Sequence, residues 1–295
     1  MKKNPILTVL IILGITALFL VMVMTVILNF FGPHSSLAFS NKIGVIHIEG
    51  TISDPEPVLS QLAEFKNDKG IKAIILRIDS PGGGVGASQE IYREVQKTKE
   101  IKKVIISLGG TAASGGYYIA SAGDKIVANP GTITGSIGVI MEFFQVQELS
   151  KKIGVSLEVL KSGEFKDIGS PYRELTERDK DLIINLISDI QEQFVTAVAE
   201  GRNIPVEKVR EIADGRIISG AMAEKLGLVD QLGNFQDAVD LTKKMAGIEG
   251  DVSLVYPKER RIKLWDFIFQ NATKALSRAV SDNLKPAIEY RWNGF

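Results

Sequence analysis

Two glycine-rich turns carry most of the residues here that could do chemistry. The first is Gly109-Gly110-Thr111-Ala112-Ala113-Ser114-Gly115-Gly116-Tyr117-Tyr118. It follows the apolar run Lys103–Leu108 and precedes a short apolar segment, Tyr117–Ala122. A serine among alanines and glycines at a strand-to-helix joint can be held on a sharp turn. No neighbouring side chain then blocks a reactant, and the next amide faces the same space. Ser114 is therefore a candidate nucleophile. The pattern is Ala-x-Ser-x-Gly, a relative of the usual elbow motif, and a capping serine at a close-packed helix start would use the same residues. The second turn is Asp79-Ser80-Pro81-Gly82-Gly83-Gly84. It lacks the lysine of a phosphate-binding loop and does not complete the dinucleotide fingerprint. Exposed amides at a turn before a helix can equally bind an oxyanion.

A serine hydroxyl is a weak nucleophile and needs a base within hydrogen-bond reach. The chain has no cysteine and two histidines, His34 and His47. Thiol catalysis, disulfides and cysteine metal sites are excluded. His34 sits beside a long apolar segment and His47 inside a strand pattern, so neither is well placed as the base. A serine–lysine dyad is the remaining common solution. A lysine acts as a base only when neutral, and burial among apolar groups lowers its ordinary pKa of about 10.4. Most lysines here read as solvated; Lys72 and Lys103 begin strands, and Lys151 and Lys152 end a helix. Lys161 and Lys166 differ, because they lie in a glycine-containing loop just after an apolar run. Lys166 also has Phe165 and Ile168 close by.

The elements that must position these residues read as β-turn-α-β units. Lys42–Glu49, Ile71–Ile78 and Lys103–Leu108 are buried-strand patterns, with helical spacing over Pro57–Phe65 and Val85–Lys97 between them. This alternation implies a parallel sheet, in which chemistry collects at the carboxyl ends of the strands. Both glycine-rich turns fall at that edge. Further strands are expected at Lys125–Ala128, within Pro130–Ile140 and at Val155–Leu160. Thr176 caps a long helix, with Asp179 at the capping-box position and Gly201 at the expected stop. Ile183, Leu186, Ile187, Ile190, Phe194 and Val198 form its apolar stripe. Shorter helices are expected over Val206–Ala213, Ala221–Leu226 and Asn234–Met245.

The 295 residues carry 35 Lys+Arg against 35 Asp+Glu, a balance that argues against nucleic acid as a partner. Pro5–Phe31 holds no charged residue and exceeds the roughly 20 residues that a bilayer span needs. Lys2 and Lys3 before it would keep the N-terminus in the cytoplasm and put the rest outside. A cleaved signal peptide ending near Ser36-Leu37-Ala38 is the competing reading, but the apolar run is too long for a signal h-region. The expected organisation is an anchor and linker over residues 1–41, a catalytic domain over 42–250 and a tail over 251–295. The tail carries a basic stretch, Lys258–Lys263, and an amphipathic helix pattern over Leu264–Val280. That helix could pack on its own domain, lie on a membrane or contact another subunit.

Four segments in this order resemble the signal peptide peptidase A family, the S49 serine–lysine proteases, in a short single-module form. They are Asp79–Gly84, Ala112–Tyr118, Thr134-Gly135-Ser136-Ile137-Gly138-Val139, and Lys161–Pro171. Asp214-Gly215-Arg216 through Gly227-Leu228-Val229-Asp230 fits the end of the family core. The resemblance implies Ser114 as nucleophile and Lys166 as general base. It implies Ser136 as the residue that orients the lysine, and the amides of Gly83 and Gly115 as the oxyanion hole. It also implies an α/β fold, the ClpP/crotonase-like superhelix of ββα units, with homo-oligomers at a bacterial cytoplasmic membrane and no cofactor or metal. The expected substrates are remnant signal peptides and other apolar unfolded segments. Two alternatives stay open: a related peptidase cutting stomatin-like tails, and a non-catalytic membrane scaffold on the same fold.

Overall fold

The computed structural model describes residues 13–25, 41–257 and 288–292. The chain divides into two compact units, Met1–Ser40 and Asn41–Phe295. In the first, residues 13–25 are helical (α1), and apolar side chains such as Leu18 and Phe19 stand exposed on it. Among the described residues no helix is long and apolar enough to cross a membrane. The ends of the Pro5–Phe31 run, His34 and the Leu264–Val280 helix pattern lie outside the described residues.

The second unit is built on a parallel sheet. Strands β1 (Lys42–Glu49), β2 (Ile71–Ser80) and β4 (Lys103–Ala113) are its centre, and β5 (Lys125–Ala128) and β9 (Gln231–Leu232) continue it on one side. On the other side β10 (Ser253–Val255) pairs parallel with β1. The registers Ile46↔Leu76 and Leu76↔Ile106 align the three central strands. Their residues divide by parity. Ile46, Ile48, Ile74, Leu76, Ile78, Val104 and Ile106 face the main core, which includes residues of α2 (Glu56–Asn67), α3 (Val85–Lys99), α4 (Gly115–Ser121) and α6 (Glu177–Arg202). Ile43, Val45 and Ile75 face Val239 of α9 (Phe235–Met245), and Ile105 faces Ala238. Burial on both faces is why these strands are continuous apolar runs and not alternating ones.

Strand β4 is longer than its apolar run. Ile105–Ser107 pair with β5, whereas Thr111–Ala113 pair with β6 (Ile133–Gly135), so β4 changes partner at Gly109-Gly110. Residues 82–84, expected as a turn, form a strand, β3. It joins a second, antiparallel sheet of order β3-β11-β7, with β7 at Ile140–Met141 and β11 at Ile288–Arg291.

Two expectations are corrected. Val155–Leu160 is not a strand; all six residues are exposed and lack regular structure, and no strand among the described residues pairs with them. Helix α6 does not stop at Gly201. A Cβ there would stand 2.1 Å from the Ser121 carbonyl, so the glycine serves close helix approach, and Asn203 ends the helix in the left-handed region at φ 52°. The start of α6 is as expected: Thr176 Oγ1 accepts from Asp179 N at 3.1 Å, and Asp179 Oδ2 accepts from Thr176 N at 3.0 Å. Its stripe is buried at Ile183, Ile190, Phe194 and Val198, but Leu186 is exposed.

The β5 edge is held by one ion cluster. Asp230 accepts from Arg202 at 2.6 Å, from Lys125 at 2.8 Å and from the Ile126 N–H at 2.8 Å. Burial alone would raise the Asp230 pKa, but these donors outweigh it and the net shift is downward. A depressed carboxylate stabilises the fold above its unfolded-state pKa and loses that contribution as pH falls through the folded value. Asp230→Ala also leaves the Arg202 guanidinium, whose side chain is 6% exposed, without its partner. We expect it to lower the unfolding free energy by about 3 kcal/mol at pH 7 and by less at pH 3, measured by denaturant titration at both pH values.

Candidate active site

Ser114 stands between β4 and α4 with φ 52° and ψ −118°, outside the regions a side chain normally allows. Such strain costs on the order of 1–3 kcal/mol and survives only when the surroundings impose it. Here backbone bonds on both sides impose it. Ser114 N donates to Gly135 O at 2.8 Å, and Ser114 O accepts from Tyr118 N at 2.8 Å. Farther on, the Tyr117 hydroxyl, buried under the sheet, donates to Leu228 O at 2.8 Å and fixes α4. The Ser114 hydroxyl itself is buried and has no hydrogen-bond partner among the described residues. A buried polar atom without a partner is costly, so its presence on a strained joint points to a reactant.

The Gly82–Gly84 arm is brought to the same place. A β-bulge interrupts the β2–β4 register between Ile78 and Ser80, and Asp79 Oδ1 accepts from Thr111 N at 3.0 Å across it. Ser80, fully buried, donates to Gly50 O at 2.6 Å and accepts from Gly82 N at 3.1 Å. Gly82 has φ +103°, and a Cβ on it would lie 2.7 Å from Gly115 N. A Cβ on Gly83 would meet Ile52 O at 2.2 Å, since Ile52 bridges β3 in parallel through Ile52 N to Gly82 O and Gly84 N to Ile52 O, both 2.8 Å. Glycine is required at both positions for the backbones to approach. Strand β3, which carries Gly83, and the start of α4 at Gly115 thus approach each other beside Ser114.

Ser136 follows Gly135, which accepts from Ser114 N, so it too is at this edge. It is 6% exposed, has φ 50°, and its N–H donates to Arg216 O at 2.8 Å. It lines a cavity of about 650 Å³ with Gln191, Asp214, Arg291 and Trp292 among the walls. His47, itself exposed on the otherwise buried β1, has Nδ1 3.0 Å from Glu49 Oε1.

The two candidate lysines separate clearly. Lys161 Nζ donates to Glu164 O at 2.8 Å and to Asp167 Oδ1 at 2.7 Å. Lys166 lies on the 3-10 turn η1 (Glu164–Asp167), is exposed, and makes no side-chain hydrogen bond or ion pair among the described residues. Within one chain, then, Lys166 and Ser114 share no side-chain hydrogen bond. The turn that carries Lys166 is clamped to the start of α6. Arg173 donates to Asp167 at 2.8 Å and to Asp179 at 2.5 Å. The Arg173 hydrogen bond holds the Asp167 carboxyl well below the usual range and brings Asp179 from 3.8 down to about 2. The positioning residues Ser80, Asp79 and Arg173 are not signalled by the sequence as such, although the first two fall inside the Asp79–Gly84 motif.

Residues 38–132 match the Clp protease family, and residues 96–249 match peptidase family S49. A putative protease of Synechocystis sp. is 46% identical over 211 residues, covering 71% of this chain and 76% of its own length. A putative signal peptide peptidase SppA of Enterococcus faecium is 38% identical over 70% of this chain and 64% of its own. Protease 4 of Haemophilus influenzae is 35% identical over 72% of this chain but only 36% of its own. A Clp-protease-like α/β fold and these relatives define a serine protease. The chain belongs to peptidase family S49, in the signal peptide peptidase A group, as a form with a single peptidase module.

The Arg173 clamp has a testable consequence. Both aspartates have depressed pKa values, so the clamp is whole above the ordinary aspartate value of 3.8 and is lost as pH falls toward about 2. Arg173→Gln should lower peptide hydrolysis on the order of tenfold at pH 7 through kcat, with KM little changed. Arg173→Lys should restore only part, since an ammonium cannot span both carboxylates with the same fork.

Proposed function

We propose that this protein is a membrane-anchored endopeptidase in which Ser114 and Lys166 form a dyad. The observation that carries the reading is the buried, unpartnered Ser114 hydroxyl on a strained elbow, beside the Gly83 and Gly115 amides. Neutral Lys166 takes the hydroxyl proton as Ser114 attacks a peptide carbonyl. The two amides hold the developing oxyanion, a contribution of roughly 3–4 kcal/mol per donor in other hydrolases. The lysine then protonates the leaving amine, and water releases the acyl-enzyme. Ser136 orients the amine.

The dyad is completed between copies of the chain. Among the described residues of one chain Lys166 is exposed and makes no side-chain hydrogen bond or ion pair, and the Ser114 hydroxyl has no hydrogen-bond partner. The same region exposes Phe144, Leu149, Ile153, Val155, Leu157, Val159, Leu160 and Tyr172, and α6 exposes Leu182, Ile184 and Leu186. An apolar surface of this extent marks an interaction site, and burial there would take water from the lysine amine. We assign residues 42–250 to the peptidase domain, with the ββα superhelix of the family, and residues 251–295 to a tail. The charge-free Pro5–Phe31 run and the exposed apolar side chains of α1 support a membrane anchor, with the peptidase domain on the outer side. Apolar, unfolded segments such as remnant signal peptides are the substrates this placement favours.

Ser114→Ala and Lys166→Ala should each abolish hydrolysis of an apolar peptide while leaving the circular dichroism spectrum unchanged. Co-assembled one to one, the two inactive chains should recover roughly a quarter of the wild-type rate if each site joins a serine and a lysine from different copies. A mixture that stays inactive would place the two groups of each site in one chain; substantial activity of either variant alone would remove the dyad.

A further inference from the structure

Most buried hydroxyls among the described residues are committed to a carbonyl. Ser121 donates to Tyr118 O at 2.7 Å, Thr132 to Gly109 O at 2.7 Å, Thr134 to Ala112 O at 2.7 Å and Thr242 to Ala238 O at 2.6 Å. The buried hydroxyls left without a partner among these residues are those of Ser88, Thr98 and Ser114. Ser114 is the candidate nucleophile. Thr98 lies in the last turn of α3, about 15 Å along the helix from Ser88 at the usual rise per residue. Ser88 is the remaining one, and it is at the site.

Ser88 is fully buried, at the end of the first turn of α3. A serine in a helix commonly returns its hydroxyl to the carbonyl one turn back, as Thr242 does to Ala238. Ser88 makes no such bond. A Cβ on Gly115 would stand 2.5 Å from Ser88 Oγ and 3.3 Å from Gly82 Cα. The hydroxyl therefore rests against Gly115, on the side that faces the glycine arm. Gly84 ends β3 and is also the N-cap of α3, so Gly83 and Ser88 belong to one continuous piece of chain. That piece brings an amide and a hydroxyl to Gly115 together.

A buried donor without an acceptor opposes folding, and alanine would occupy the same helical position without that cost. A hydroxyl is worth keeping there if its acceptor exists only during the reaction. We propose that Ser88 is a further catalytic residue: its hydroxyl donates to the oxyanion that forms on the substrate carbonyl, as a third donor beside the Gly83 and Gly115 amides. This rests on the serine-peptidase reading of the site. No bond to Ser88 forms or breaks, and its proton stays on Oγ. The hydrogen bond is made while negative charge stands on the carbonyl oxygen and is released when the carbonyl reforms.

The test uses the full-length chain in detergent, an apolar peptide substrate and the matching peptide aldehyde, whose adduct with Ser114 presents an oxygen to the same donors. Ser88→Ala should lower kcat on the order of a hundredfold with KM little changed. It should weaken the aldehyde by a similar factor, leave peptide binding in a Ser114→Ala background unchanged, and unfold at a denaturant midpoint no lower than wild type. Ser88→Thr, which keeps a hydroxyl, should recover at least about tenfold of the lost rate. Should the extra methyl prevent folding, the contrast between aldehyde and peptide binding in Ser88→Ala decides alone. Aldehyde affinity and hydrolysis within about twofold of wild type in Ser88→Ala, or an equal loss of peptide and aldehyde binding, would overturn the donor assignment and leave the serine reading standing. Hydrolysis that survives Ser114→Ala would overturn the serine reading, and the donor assignment with it.

Discussion

Everything at the carboxyl edge of the sheet depends on how closely separate backbones can approach. Ile52, the Gly82–Gly84 arm and the turn at Ser114–Gly115 lie so near one another that a single methyl group on Gly82 or Gly83 would overlap main-chain atoms. The apolar sheet drives the strands together, and glycine removes the steric obstacle. The result is a cluster of main-chain donors beside one hydroxyl, with side chains displaced outward. Main-chain donors have no rotamers to reorganise, which suits them to a charge that appears only briefly.

The strain at Ser114 is matched by strain at Ser136, whose φ of 50° ends β6 as Ser114 ends β4. The two strands pair through Ala113↔Gly135, so the two unusual turns hold each other. The bulge at the end of β2 and the partner change in the middle of β4 turn these ends away from the regular sheet. The hydrogen bonds of Asp79 and Ser80 stabilise this irregular edge.

A second region is built on different terms. From Gln147 to Thr176 order comes from ion pairs and short turns: Lys161, Asp167, Arg173 and Asp179 form one chain of contacts. Apolar residues there, Leu157 and Leu160 among them, stand exposed where the sheet core buries its own. The hydroxyl is thus set by packing and the lysine-bearing turn by electrostatics, two supports that respond differently to acid.

Much of this was legible in the order of residues. The apolar runs of β1, β2 and β4 announce a sheet buried on both faces, and helical spacing between them announces parallel pairing. Thr176 and Asp179 announce the start of α6, because a capping box is local. Ser114 and the glycine arm could be singled out because catalysis on a turn demands small neighbours within a few positions. The misreadings share a cause. Val155–Leu160 has the composition of a strand, but a strand exists only where a partner pairs with it. Gly201 looks like a stop, but its neighbour in space is Ser121, eighty residues upstream. The strand at Ile288–Arg291 and its seat opposite Gly83 are signalled by no local pattern, since the pairing joins residues at distant points of the chain. Local preference is set by each residue's own backbone and near neighbours, so the order of residues carries it; which distant backbones share hydrogen bonds is settled only when the whole chain competes for the same partners, and that competition is resolved by the fold.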